Sequence, residues 1–149
     1  MKKKAKNLKP KVFFNASVIL VGLKSPRGGS GKLLAWAKEG KIQAVISEII
    51  VDEVGRHLEK LAIKRKKFLK TLIYFEVLPA TTKLASKYPK VVKDVGDVHL
   101  FTSAQQANCD YLVSLDKKHV LSLKTKVKKF IITSPAELIE KLSNFYTAH

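Results

Sequence analysis

The stretch Asp110-Tyr111-Leu112-Val113-Ser114-Leu115-Asp116 constrains the fold of this chain more than any other. Its apolar centre is too short for a helix and suits a buried strand; it closes on a carboxylate, followed by the basic Lys117-Lys118-His119. In open α/β sheets the carboxyl ends of the strands face a crevice where ligands bind, so Asp116 is expected at such a crevice. The same pattern recurs near the start, where Val12-Phe13-Phe14 runs into Asn15-Ala16-Ser17. In a parallel sheet the two strand ends share one rim, which brings Asn15 and Asp116 close despite their distance in sequence.

A chain of 149 residues, 46% of them hydrophobic, suffices for one domain with an ordinary core. Residues 1–10 read as a basic N-terminal tail and residues 11–149 as a single domain. Lys2, Lys3, Lys4, Lys6, Lys9 and Lys11 make a cationic arm running into the first strand, read as a solvated tail rather than a nucleic-acid contact. No apolar run approaches the roughly 20 residues that span a bilayer, and no secretory segment follows the basic start, so a soluble cytoplasmic protein without a membrane partner is expected. The single cysteine, Cys109, excludes an internal disulfide framework and suits a small core filler in a reducing compartment. Lys and Arg number 29 against 12 Asp and Glu, a formal charge of +17, which makes a polyanion the leading class of partner.

Ser25-Pro26-Arg27-Gly28-Gly29-Ser30-Gly31 reads as a loop before a helix over about 32–39, stopped by Gly40. Its glycines invite a phosphate-loop reading. A Walker loop, however, needs glycine where Pro26 stands and Ser or Thr where Leu33 stands, which excludes nucleotide hydrolysis by that motif. Ile42 to Ile46 forms a second strand, and Ser47 caps a helix expected to run from Glu48 into the Lys64-Arg65-Lys66-Lys67 cluster. Ile50, Val54, Leu58 and Leu61 make its apolar stripe; Glu53 borders that stripe and can look inward, whereas Asp52 pairs with Arg56 in solvent.

A third strand is predicted over 72–78, a helix near 81–86, and a break at Tyr88-Pro89. Asp94 then opens a helix carrying Asp97, Phe101, Ala104 and Ala107 on one face. A short helix from about Lys117, a last strand Phe130-Ile131-Ile132 and a Ser134-capped helix from Pro135 to about Phe145 complete the chain. On residue chemistry alone, capping and the helix dipole explain Asp94 and Asp97, and capping explains Asn15. The four histidines, His57, His99, His119 and His149, lack ligand spacing, so no zinc site is expected and His119 reads as a partly exposed helix residue.

The strand ending in Asn15-Ala16-Ser17, the helix from Ser47 through Glu53, Asp97 with Phe101 and Ala104, and Asp110 to Asp116 follow one another in an order that resembles the PIN domain over nearly the whole chain. The chain is similar in particular to stand-alone PIN proteins that serve as toxins in toxin–antitoxin pairs. That resemblance implies a three-layer α/β/α fold with a central parallel sheet of about five strands. It also implies RNA cleavage with Mg²⁺ or Mn²⁺ held at four acidic positions. Carried over residue by residue, these are Asn15, Glu53, Asp97 and Asp116, with Glu53, Asp97 and Asp116 catalytic and Ser17 and Ser114 in support.

Lys117, Lys118, Arg27 and Lys32 are expected to meet RNA phosphates. The partners implied are RNA, a cognate antitoxin and a second copy of the chain. One position departs from the family pattern: Asn15 stands where the family has Asp, and Ser17 where it frequently has Asn. Asn15 keeps a carbonyl oxygen but lacks the charge, and a charge pair near 4 Å is worth about 4 kcal/mol before desolvation at an effective dielectric of 20. Weaker metal affinity follows. A weakened member, an enzyme tolerant of a neutral ligand and an engineered substitution are three readings of Asn15, and a binding module without catalysis is the rival to the nuclease.

Overall fold

Short apolar runs separated by helices leave one economical solution, a parallel sheet with both faces covered. The computed structural model describes residues 9–80 and 95–148. Its strands are β1 (Lys11–Phe14), β2 (Gln43–Ser47), β3 (Phe75–Leu78), β4 (Tyr111–Val113) and β5 (Ile131–Thr133). They form one five-stranded parallel sheet in the order β3-β2-β1-β4-β5. The helices are α1 (Ala16–Lys24), α2 (Gly29–Glu39), α3 (Glu48–His57), α4 (Arg65–Leu72), α5 (Val95–Gln106) and α6 (Pro135–Ala148), with a 3₁₀ turn at Leu121–Leu123. The three-layer α/β/α arrangement expected from the sequence is the one observed.

Val12, Phe13 and Phe14 are consecutive and all 0% exposed, which requires cover on both faces of β1, the central strand. The order reverses there: β1 to β3 step outward in one direction, while β4 and β5 lie on the other side. A crevice forms at such a reversal because the connections leave toward opposite sides. At the amino end of the same strand pair, the Lys11 amide donates to Asp110 Oδ2 at 2.8 Å, and the Asp110 amide returns a bond to the Lys11 carbonyl. Asp110 therefore ties the start of β4 to the start of β1 and sets the level of both carboxyl ends.

Several element boundaries differ from expectation. The helix beginning at Glu48 stops at His57, and the basic cluster belongs to the separate helix α4. Ala62 breaks the run with φ of 57°, a left-handed conformation unusual for a residue with a Cβ. Burial of Ile63 drives the turn: its amide reaches back to the Leu58 carbonyl, while Leu61, expected in the apolar stripe, is exposed. The stretch from Lys117 folds into hydrogen-bonded turns and the 3₁₀ element instead of an α-helix. Leu72 belongs to α4, which shortens the third strand to Phe75–Leu78. The expected helix near 81–86, the break at Tyr88-Pro89 and the Asp94 cap lie outside the described residues.

The helix expected from about residue 32 begins earlier, at Gly29, so Gly29, Ser30 and Gly31 form its first turn rather than a loop, and glycines here and in α1 serve packing. A Cβ on Gly31 would sit 2.2 Å from the Pro26 carbonyl oxygen, and one on Gly22 would meet Leu34 Cδ1 at 2.6 Å. These glycines let α2 close against its own entry loop and against α1. Gly40 ends α2 in the left-handed conformation, as its position predicts. At the start of α6, Ser134 and Glu137 cap each other reciprocally, and Glu137 also receives Lys124. The Lys124 ammonium, with the Ser134 amide, holds the Glu137 carboxyl down at about 2. The small stabilisation from this exposed group is present above the unfolded value of 4.5 and is lost as pH falls toward 2.

Replacing Gly31 by Ala is expected to destabilise the fold by about 1–3 kcal/mol, because the clashing atoms are backbone and cannot rotate away. Urea denaturation measures it, and an unchanged midpoint would contradict the tight helix entry.

Candidate functional site

The carboxyl ends of β1 and β4 are neighbours at one level, with Phe14 paired to Val113. The next residue on each strand builds the site. The Asn15 amide donates to the Val113 carbonyl at 3.0 Å, and the Ser114 amide donates to the Thr133 carbonyl at 3.1 Å. Ser114 is fully buried, and its hydroxyl oxygen accepts two bonds, from Asn15 Nδ2 at 2.9 Å and from the Asp116 amide at 3.0 Å. One buried oxygen thus joins the end of the first strand to the residue bearing the carboxylate. Ser17 adds a second tie, its hydroxyl oxygen accepting from the Leu115 amide at 3.3 Å.

Both side-chain atoms of Asn15 are engaged. Nδ2 reaches Ser114, and Oδ1 accepts from the Ala16 amide at 2.8 Å at the start of α1. The capping expected of Asn15 is therefore present.

Asp97 lies on the first turn of α5 and is half-buried. Asp116 is likewise half-buried, and its Oδ1 accepts the His119 amide at 2.9 Å. The Val120 and Leu121 amides both donate to the Asp116 carbonyl, so residues 116–121 wrap around the aspartate. His119 Nδ1 lies 3.3 Å from Asp116 Oδ2. One ligand atom each from Asp97, Asp116 and His119 fall within 4.8 Å of one another. Oxygen donors from two carboxylates and a ring nitrogen, gathered at strand ends, fit a divalent cation.

Glu53 is half-buried on α3, with its backbone carbonyl facing His57 Nδ1 at 2.8 Å, and it is outside that three-residue group. Arg27 is exposed before α2, and Lys32 holds its ammonium 5.7 Å from the Trp36 ring centroid. Lys117 and Lys118 are exposed immediately beyond Asp116. The sequence presents His119 as a helix residue without ligand spacing, whereas the structure brings it to the two aspartates. The signal that would have found it is its position three residues after an aspartate, where a carboxylate caps the backbone amide of the third residue on.

Cys109 is buried, and desolvation pushes its thiol up to about 12, so it offers no thiolate nucleophile at neutral pH. At the far end of α1 from Asn15, a cavity of about 490 Å³ is lined by Lys24, Lys64, Lys66, Lys67 and Lys70 without a carboxylate. Lys67 donates to the Leu23 carbonyl and Lys24 to the Leu61 carbonyl, which positions both cations. Adjoining it is a second cavity of about 380 Å³ with Ile73 and Tyr74 in its lining.

The fold and this group of side chains define a parallel α/β protein with a carboxylate site at the switch point of its sheet. The PIN domain family model matches residues 11–118, and the chain belongs to that family. VapBC2 from Rickettsia felis, solved bound to a DNA fragment from its promoter, contains a chain with the same fold. The match has a TM-score of 0.60 at 15% identity and covers 83% of this chain and 98% of the other. No curated protein matches the sequence.

Ser114→Ala leaves Asn15 Nδ2 and the Asp116 amide without their shared acceptor. A loss of about 1–3 kcal/mol in unfolding free energy is expected, read by chemical denaturation. A variant as stable as the parent would show that the buried hydroxyl does not tie the strands.

Proposed function

We propose that this chain is a divalent-metal-dependent endoribonuclease and the toxin of a toxin–antitoxin pair. The observation that carries the proposal is the approach of Asp97 and Asp116 at the β1/β4 switch point, in a chain matched by the PIN family model. Glu53, Asp97 and Asp116 are assigned as the catalytic acids, with Asn15 at the remaining position of the metal site. A bound Mg²⁺ or Mn²⁺ would neutralise charge on the scissile phosphoryl group and activate the attacking water. Asp97 and Asp116 would supply its oxygen donors, which hard divalent cations prefer.

Ser114 and Ser17 act as positioning residues by holding the Leu115–Asp116 segment against the start of α1. Lys117, Lys118, Arg27 and Lys32 are assigned to RNA phosphates, in keeping with their exposure and the net charge of +17. Affinity for a single-stranded RNA should then fall steeply with ionic strength, by a slope of about 0.7 per phosphate neutralised. Fluorescence anisotropy that stays flat between low and moderate salt would remove this electrostatic basis.

The antitoxin is proposed as an acidic partner. The lysine-lined cavity and the neighbouring exposed Ile73 and Tyr74 together suit a segment with carboxylates on one side and apolar groups on the other.

Asn15 bears on how active the enzyme is. Its side chain is committed to Ser114 and to the α1 amide, and it brings no charge to the site. A binding module without catalysis is the reading this observation favours as the rival. Asn15→Asp is expected to tighten Mg²⁺ or Mn²⁺ binding and to raise RNA cleavage, and Asp97→Asn in that background to abolish the gain. Metal titration and cleavage of a structured RNA, with and without chelator, separate the readings. Neither binding nor cleavage after restoration would leave the binding module, whereas strong chelator-sensitive cleavage with Asn15 in place would show that a neutral oxygen suffices.

A further inference from the structure

His119 stands closer to the two gathered aspartates than sequence spacing suggested, and nothing assigned so far uses it. We propose that His119 is a nitrogen ligand of the cation held by Asp97 and Asp116, and that it biases the site toward Mn²⁺ over Mg²⁺. The inference rests on the metal-site reading above and extends it to a residue outside the four positions already assigned.

The geometry comes first. Two donors at 2.0–2.2 Å from one ion are at most about 4.4 Å apart. The ligand atoms of Asp97, Asp116 and His119 all lie within 4.8 Å of one another, close to that span, so a modest turn of the side chains would draw them onto one ion. The backbone places the ring. Asp116 Oδ1 accepts the His119 amide, and the next two amides close on the Asp116 carbonyl, so the imidazole starts from a fixed point beside the carboxylate. Its side chain is 44% exposed and that of Asp116 is 35% exposed, which leaves both able to turn toward a cation entering from solvent.

The chemistry gives the selectivity. Mg²⁺ demands a near-ideal octahedron of oxygen donors and gives up water reluctantly, whereas Mn²⁺, although it too favours carboxylates and water, stands at the start of the first-row transition series and accepts an imidazole nitrogen more readily than Mg²⁺ does. Asn15 contributes no charge, and both its polar atoms are hydrogen-bonded, so the site lacks one strong donor. A ring nitrogen supplies a donor there without supplying charge. The competing account is an ion pair in which a protonated His119 neutralises Asp116; that arrangement places no nitrogen on the metal.

Pulsed electron paramagnetic resonance of the full chain loaded with Mn²⁺ decides between them through modulation from a directly bound ¹⁴N nucleus. That modulation is expected in the parent and absent in His119→Ala, whose backbone amide still caps Asp116. Loss of a supporting outer-shell group already costs about 10–100-fold in metal affinity, so loss of a direct donor should weaken Mn²⁺ at least about tenfold. Mg²⁺ measured by competition should change far less, and thermal melting checks that the variant is folded. Mn²⁺ bound without nitrogen modulation, with the same Mn²⁺-to-Mg²⁺ ratio in parent and variant, overturns the role of His119 while the metal site stands. Absence of Mn²⁺ binding by the parent overturns both.

Discussion

The Ser114 hydroxyl is the junction on which the candidate site depends. It is fully buried and accepts from the Asn15 side chain on β1 and from the Asp116 amide beyond β4. Leaving either donor without an acceptor costs more than an ordinary hydrogen bond contributes, because a buried polar group loses its hydration as well. The two strand ends are thereby locked at one level. Asp116 inherits its position from that lock, and α5 then needs only to deliver Asp97 from its first turn. A carboxylate site at a sheet switch point is a consequence of strand order first and of side-chain choice second.

Asn15 shows how structural and functional demands meet in one residue. An amide can donate to Ser114 and accept from the α1 backbone at the same time, whereas a carboxylate only accepts. The neutral side chain therefore makes a well-satisfied junction while withholding the negative charge that a divalent cation would use. Stability and metal affinity are separable here, since the Ser114 hydroxyl can reverse its role and donate to a carboxylate.

Charge is distributed with less local compensation than in a typical domain. Lys64, Arg65, Lys66 and Lys67 crowd the start of α4, where the helix dipole already favours negative groups. The first turn contains no acid, and the nearby cavity is lined by five lysines. An arrangement that opposes both the dipole and its own neighbours would gain from the acidic partner proposed above what it forgoes in the isolated chain.

Much of this was legible in the sequence because periodicity and strand-end polarity are local properties. Short apolar runs ending in Asn15 and before Asp116 specify parallel strands with polar carboxyl ends, and 149 residues leave room for one sheet. Gly40, Ser47 and Ser134 mark helix ends by side-chain and backbone chemistry that acts within a few residues. Tertiary packing decided the rest. Ala62 turns left-handed because Ile63 has a core site to fill, which no local propensity records. Gly31 in α2 and Gly22 in α1 serve close packing because Pro26 and Leu34 approach them in three dimensions. His119 joins Asp97 and Asp116 because the backbone wraps around Asp116 while α5 arrives from another part of the chain, and only the folded sheet brings those two placements together.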